Sequence, residues 1–244
     1  MLSQRLKYFL GHLTVSCCVA IFALILVFCI WYPTPLAKAN EVGHIFLMLL
    51  AIDVIVGPLL SLLVYKVGKK SLKFDLIVII ILQISAFLYG IFTISQGRPA
   101  WLVFYHDRFD QVTVVEISEK NKDQFKPEYK HPSILGPKFV AVEFAMDPKI
   151  RKKDTLLELS GTTLAMRPER YLSLTDVRDQ IKEKAINFEL LYDFNASLET
   201  DNILRKYPTA TAWLPLKTNT NDMVVLINKE KGEVVKIVDL RPWK

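Results

Sequence analysis

The sequence lacks the motifs that usually mark an enzyme. It contains no phosphate-binding loop, no Gly-x-Gly-x-x-Gly fingerprint and no Gly-x-Ser-x-Gly elbow, and it has only nine glycines in 244 residues. Its four histidines do not follow the spacing of a zinc site. These absences predict a protein that is not an enzyme and that needs no cofactor and no metal.

Cysteine is equally scarce and unevenly placed. Cys17, Cys18 and Cys29 are the only three, and all lie in an apolar run near the N-terminus. Residues 98–244 contain none, so this part can form no disulfide and do no dithiol chemistry even in an oxidising compartment. Within an apolar run, cysteine behaves as a small apolar residue.

The positive charge is concentrated in one half of the chain. The net charge is +6, with seven basic and three acidic residues in residues 1–97 and 24 basic and 22 acidic residues in residues 98–244. Nucleic-acid binding would require a basic patch on the globular part. No nucleic-acid partner is therefore predicted.

Three long apolar runs dominate residues 1–97, at about 13–32, 45–65 and 74–95. At about 1.5 Å per residue, each forms a helix long enough to cross a hydrocarbon core of about 30 Å. We therefore predict a transmembrane domain of three α-helices over residues 1–97, embedded in membrane lipid. Residues 98–244 then form a second, soluble domain.

Basic residues flank these runs in a pattern that predicts orientation. Arg5 and Lys7 precede the first run, and the turn between the second and third runs contains Lys66, Lys69, Lys70 and Lys73. Short loops rich in lysine and arginine stay in the cytoplasm. The N-terminus and the lysine turn are thus predicted to be cytoplasmic, and residues 98–244 to lie outside the cytoplasm.

The first run has an alternative interpretation as a cleaved signal peptide. Ala37-Lys38-Ala39 has the small-x-small form of a cleavage site. The apolar run is longer than the usual 7–15 residues of a signal core, which favours a retained helix. Cleavage would leave residues 98–244 on the same side of the membrane.

Asp53 lies near the middle of the second run, where an ionised carboxylate costs at least about 2.5 kcal/mol. Gly57 and Pro58 follow within five residues and predict a kink. Gln83 and Ser85 in the third run, at a similar depth, could donate to the Asp53 side chain. Either Asp53 is protonated or bonded to these side chains and only joins the helices, or it meets a polar group of a partner. On the second interpretation, Asp53, Gly57, Pro58 and Gln83 form a partner-binding site.

Residues 98–244 predict an α+β domain with a mainly antiparallel sheet. Alternating and β-branched segments predict strands at 101–106, 111–118, 139–144, 211–217, 223–228 and 234–238. Helical spacing of apolar residues predicts helices at 154–159, 176–191 and 197–206.

Several short stretches together resemble one family. In chain order they are Trp31-Tyr-Pro33, Asp53-Val-Ile-Val-Gly-Pro-Leu-Leu60, Tyr65-Lys-Val-Gly-Lys-Lys-Ser-Leu-Lys-Phe-Asp75, Gln96-Gly-Arg-Pro-Ala-Trp-Leu-Val-Phe104, Asp107-Arg-Phe109 and Val238-Asp-Leu-Arg-Pro-Trp243. The sequence resembles the TfpX/TfpZ group of type IV pilin accessory proteins over essentially its whole length. The resemblance implies a multi-pass protein of a bacterial inner membrane, with a periplasmic C-terminal domain, that assists assembly of a type IV major pilin. It implies no catalytic mechanism.

Three functions remain open at this point. The first is a non-enzymatic factor that holds or presents the pilin subunit. The second is a regulator of pilus assembly or retraction that acts on the assembly platform or motor through the lysine turn. The third is a periplasmic enzyme that modifies pilin.

Overall fold

The computed structural model describes residues 3–244. Three long helices, Gln4–Trp31, Val42–Val64 and Leu72–Gly97, are apolar enough to cross a membrane, and they confirm the three predicted helices. The first begins well before residue 13 because the Ser3 hydroxyl accepts a hydrogen bond from the Leu6 amide at 3.3 Å and caps the helix. Arg5 and Lys7 therefore lie on the first helix and not before it.

Contacts divide the chain into two units. The first comprises the chain up to Ala37 together with Glu41–Gly97, and the second comprises Lys38–Asn40 together with Arg98–Lys244. A short helix, Leu36–Ala39, connects the first two long helices. Three residues of this connection therefore belong to the second unit.

Apolar side chains cover the outside of the first unit. Phe22 is 68% exposed, Leu63 71% and Tyr89 74%. A protein surrounded by water rarely exposes so much contiguous apolar surface. In lipid, exposed apolar side chains carry no cost in free energy, and helices satisfy their own backbone hydrogen bonds. The first unit is thus built as a membrane protein.

Two of the long helices contain a π-helical segment. Leu26–Trp31 ends the first helix in this form. In the second helix, Val42–Leu50 is α-helical, Ala51–Val56 is π-helical, and Gly57–Val64 is α-helical again. Such π-helical turns are rare and frequently occur at functional sites.

The second unit contains one seven-stranded sheet in the order β4-β3-β1-β2-β5-β6-β7. Its strands are β1 (Pro99–Tyr105), β2 (Arg108–Thr113), β3 (Lys138–Val142), β4 (Tyr171–Leu172), β5 (Ala212–Lys217), β6 (Met223–Asn228) and β7 (Glu233–Val238).

The sheet is mixed, so the prediction of a mainly antiparallel sheet is wrong. The central pairs β1–β3 and β2–β5 are parallel, whereas β1–β2, β3–β4, β5–β6 and β6–β7 are antiparallel. A parallel pair needs a long crossover. The stretch 114–137 returns the chain to β1, and the stretch between β2 and β5 includes β3 and β4. The alternation of side chains along a strand does not reveal which strand will be its neighbour.

Helices in the second unit are short. The α-helices are Pro148–Leu159, Arg178–Lys184 and Ser197–Leu204, and the 3₁₀ turns are Val114–Glu116, Lys122–Gln124, Pro127–Tyr129, Leu164–Met166, Pro168–Arg170, Leu174–Val177 and Phe188–Asp193. The helix predicted over 176–191 is confirmed only for Arg178–Lys184, and its C-terminal part is wrong. Ile186 forms an antiparallel bridge to Trp213 of β5, with both main-chain hydrogen bonds at 2.9 Å. This bridge ends the helical stretch.

One predicted strand is displaced. The prediction placed it at 111–118, whereas β2 ends at Thr113. Glu116 accepts hydrogen bonds from both the amide and the hydroxyl of Thr113 at 2.8 Å, which closes a capping box and starts a 3₁₀ turn. A local side-chain contact therefore overrides the strand propensity of Val114 and Val115.

The sheet carries two clusters of buried apolar side chains. Trp101 is 1% exposed and packs edge-on against Tyr129 and Tyr171, at ring-centroid distances of 5.9 and 5.5 Å. Trp213, also 1% exposed, centres the second cluster with residues of β6 and β7. Edge-to-face aromatic pairs add about 0.5–1.5 kcal/mol beyond burial.

Candidate functional site: a polar cluster and cleft in the membrane unit

Gln83 joins the three long helices through its side-chain amide. Its Nε2 donates to the Ser16 hydroxyl at 3.1 Å and to the main-chain carbonyl of Asp53 at 2.8 Å. Its Oε1 lies 3.0 Å from Nε2 of His12. Because Ser16 and His12 lie on the first helix and Asp53 on the second, one side chain of the third helix contacts both.

The Asp53 carbonyl accepts this bond because the second helix does not use it. The Gly57 amide donates to the carbonyl of Ile52, five residues back, as the π-helical register requires. In that register the next donor, at position 58, would reach Asp53, but Pro58 has no amide hydrogen. The Gln83 amide takes the place of the missing donor.

Gly57 gives Gln83 the room to do so. A Cβ atom at position 57 would overlap the side-chain amide of Gln83. Gly57 and Pro58 are both buried, and the Ser61 hydroxyl donates to the Pro58 carbonyl at 2.7 Å. The predicted group of Asp53, Gly57, Pro58 and Gln83 is thus brought together in one place.

The Asp53 carboxyl group has no hydrogen-bond partner among residues 3–244. The residue is 4% exposed, and neither carboxyl oxygen has a donor. The prediction that Gln83 donates to this carboxyl is wrong, because the contact goes to the Asp53 main chain instead. Nearly every buried polar side-chain atom in a native protein is hydrogen-bonded. The unpaired, buried carboxyl therefore makes Asp53 a candidate functional residue.

A cleft of about 620 Å³ opens beside this carboxyl. The first helix supplies Gly11, Val15 and Val19 to its lining, and the third supplies Ile80, Ile84 and Phe87. The polar residues of its lining are Asp53, His12, Ser16 and Gln83, together with Lys7 and Tyr8. The volume lies within the range of about 300–1,000 Å³ that is usual for ligand sites. The cleft is therefore a mainly apolar groove with a small polar centre.

The sequence prediction did not include His12 and Ser16. They are four residues apart, so they lie on the same face of the first helix, one above the other. That spacing, opposite a glutamine at the same depth, is the signal that would have identified them.

The other predicted residues lie at helix ends. Arg5 donates from Nε to the Leu62 carbonyl at 2.5 Å and so satisfies one of the last carbonyls of the second helix. Lys69 forms an ion pair with Asp75 at 2.7 Å. Lys66, Lys70 and Lys73 are exposed, and Lys73 lies on the third helix instead of in the turn. Of the basic residues predicted to set the topology, Lys7 lines the cleft and the others do not.

The second unit contains a buried ionic cluster of a different kind. Asp154 is 5% exposed and pairs with Arg167 at 2.6 Å and with Arg170 at 3.1 Å. Arg167 also contacts Glu169 at 3.0 Å. Burial acts to lower the pKa of Arg167, but the hydrogen bonds to Asp154 and Glu169 outweigh it and raise the pKa. Because its members neutralise one another, this cluster is a structural feature.

No group of three or more histidine, cysteine, aspartate or glutamate side chains within residues 3–244 is arranged to hold a metal ion. The cleft in the membrane unit is therefore the candidate functional site.

Taken together, three helices long and apolar enough to cross a membrane, a cleft with a polar centre and a mixed-sheet domain define the class of the protein as a membrane protein with a C-terminal sheet domain. Residues 1–40 match the family described as the fimbrial assembly protein FimB. A fimbrial assembly protein of serogroups C1 and C2 from Dichelobacter nodosus is 37% identical over 98 residues, which cover 39% of this chain and 75% of that relative.

Two further relatives extend the similarity along the chain. The fimbrial assembly proteins of serogroups I and E1 from Dichelobacter nodosus are each 29% identical over 176 residues, covering 71% of this chain and 68% of the relative. No solved structure matches the chain. The chain belongs to the family of fimbrial assembly proteins, which confirms the resemblance to pilin accessory proteins.

Proposed function

We propose that this protein is a non-enzymatic accessory factor that holds or presents a type IV pilin subunit during pilus assembly. A role in pilus assembly is supported by the family and by the names of the relatives. The groove between the first and third helices receives the membrane helix of the pilin, and Asp53 supplies the polar contact that fixes it.

The observation that carries this proposal is the buried, unpaired carboxyl of Asp53 in the wall of an apolar cleft. Helices associate in lipid by close packing and by a few polar contacts, since lipid chains are as apolar as the helices themselves. A groove that offers both is suited to a single apolar helix. Intramembrane acidic groups are also rare and usually functional.

The proposal includes an orientation. Arg5 and Lys7 near one end of the first helix, together with the exposed lysines of the turn after the second helix, support a cytoplasmic location for these segments. The second unit then lies in the periplasm of a Gram-negative bacterium, where the globular part of a pilin would be.

Site-specific photo-crosslinking in living cells tests the proposal. A photoreactive residue at Val15 or Phe87 lies in the cleft, and one at Met146, which is 92% exposed, samples the second unit. The proposal predicts a crosslink to the major pilin from the cleft positions and from Met146.

Leu24 provides the matched control. It lies nine residues, or about two and a half turns, beyond Val15 and so faces the opposite side of the first helix. It is 45% exposed. Equal crosslinking of pilin from Leu24 and Val15 would argue against a specific groove. Crosslinks only to the assembly platform would contradict the proposal and favour the regulator.

A further inference from the structure

The chemistry of the cleft restricts what group its occupant can carry. The two oxygens of the Asp53 carboxyl need hydrogen-bond donors, and no side chain in residues 3–244 provides one. Within the same wall, Gln83 already uses its amide on Ser16 and on the Asp53 main chain. An occupant of the cleft that carries hydrogen-bond donors would therefore satisfy this carboxyl.

Lys7 is the one cationic side chain of this chain in the lining. It is exposed and lies nine residues from Ser16, which contacts the same Gln83 amide as Asp53. At about 1.5 Å per residue, this spacing places Lys7 about 13 Å along the helix from that level. Lys7 thus marks one end of the cleft and does not neutralise its centre.

We propose that the cleft recognises an ammonium or guanidinium group carried by an otherwise apolar membrane segment, with the Asp53 carboxylate as its counter-ion. A cation supplies donors to both carboxyl oxygens and removes the need to bury an isolated charge. The apolar lining formed by Val15, Val19, Ile80, Ile84 and Phe87 accommodates the rest of the segment.

The inference rests on the proposed function for the source of the segment, which is the membrane helix of the pilin. The charge of the group that contacts Asp53 is a separate question from the identity of the segment. An occupant with a neutral polar group would still satisfy the proposed function but not this inference.

The test compares two small probes on the full-length protein in phosphatidylglycerol nanodiscs, which contain no amine lipid. One probe is a dodecylammonium ion with a diazirine in its chain, and the other is the alcohol of the same chain with the same diazirine. Labelling of peptides that line the cleft is measured by mass spectrometry and divided by labelling of the lipid-facing surface around Leu63. This ratio corrects for the stronger partitioning of a cation into an anionic bilayer.

A charge-assisted hydrogen bond favours the amine by about tenfold or more over the alcohol. The inference predicts this preference in the unmodified protein and in Asp53→Glu, and a preference within about twofold of unity in Asp53→Asn. Equal labelling by amine and alcohol in the unmodified protein would overturn the inference without any variant having to fold.

The two proposals fail in different ways. Pilin crosslinked at Val15 together with equal labelling by the two probes would refute the cationic recognition and leave the proposed function standing. A clear amine preference without any pilin crosslink from the cleft would refute pilin holding and leave the charge assignment standing.

Discussion

The two units each contain a buried aspartate, and the two aspartates differ in their partners. Asp53 in the membrane unit is 4% exposed, and Asp154 in the second unit is 5% exposed. Asp154 has two arginines within 3.1 Å, whereas the Asp53 carboxyl has no partner among residues 3–244. Equal burial with opposite pairing supports a structural role for Asp154 and agrees with the proposal that the Asp53 carboxyl contacts a partner.

The hydrogen bonds around Asp53 also differ from those around Asp154, because they hold the helix backbone and not the carboxyl group. Gln83 satisfies the carbonyl that Pro58 leaves open, so the helix backbone is stable without the carboxyl. The helices can therefore associate while the Asp53 side chain remains available. In the second unit, removing Asp154 would leave Arg167 with Glu169 alone and would take the carboxylate from Arg170.

The largest effect is expected for Asp154→Ala. It leaves the buried Arg167 and the partly buried Arg170 without their common partner, and breaking a buried ion pair in this way costs about 3–5 kcal/mol. Hydrogen–deuterium exchange of the full-length protein should show faster exchange in β3, β4 and Pro148–Leu159. Exchange unchanged in these segments would show that Asp154 is no more structural than Asp53.

A smaller effect is expected for Gly57→Ala. The new methyl group overlaps the Gln83 amide and displaces it, so the Asp53 carbonyl loses its donor. Overpacking of this kind costs about 1–3 kcal/mol. The thermal unfolding temperature of the full-length protein in detergent should fall.

Gly43→Ala is the matched control, because a Cβ atom at position 43 meets nothing within 4 Å. It should leave the unfolding temperature unchanged or raise it slightly, since alanine favours helices over glycine. If the two variants behave alike, the close packing of Gln83 against Gly57 is not what holds the polar centre together.

The next effect concerns a buried tyrosine of the second unit. The Tyr105 hydroxyl donates to Glu158 at 2.5 Å, and Tyr105→Phe should cost about 1 kcal/mol. Tyr192→Phe removes a similar bond, to Asp201 at 2.8 Å, at a residue that is 38% exposed, and it should cost less. The comparison is made from the unfolding temperatures of the two variants.

Tyr105→Phe also predicts a change in pH dependence. Burial, and then the hydrogen bond to Glu158, raise the pKa of Tyr105. The folded protein thus keeps the hydroxyl protonated above pH 10, where an unfolded tyrosine ionises, and stability declines as the pH rises through that range. The variant should show a shallower decline between about pH 10 and 11. An identical decline would show that Tyr105 titrates normally.

The sequence predicted much of the membrane unit because length and hydropathy define spanning helices almost independently of neighbours. It also predicted the group of Asp53, Gly57, Pro58 and Gln83, which lie together in the structure. It did not predict the π-helical register of Ala51–Val56. In this register Pro58 leaves the Asp53 main-chain carbonyl without a donor, so Gln83 bonds to that carbonyl and not to the Asp53 carboxyl. That register depends on packing between helices.

The second unit was less predictable for a related reason. The strands β5, β6 and β7 form hairpins, whose pairing is local, and their predicted ranges agree closely with the structure. The parallel pairs β1–β3 and β2–β5 depend on residues far apart in the chain. The bridge between Ile186 and Trp213, a distant contact of the same kind, ended the predicted helix early.

The most direct test of the central claim is Asp53→Asn in cells, with two quantities measured together. One is the abundance of this protein in the membrane, and the other is the amount of major pilin recovered with it. The account predicts unchanged abundance and a clear loss of recovered pilin, because the carboxyl binds the partner and does not support the fold. Normal recovery of pilin, or loss of the protein itself, would contradict it.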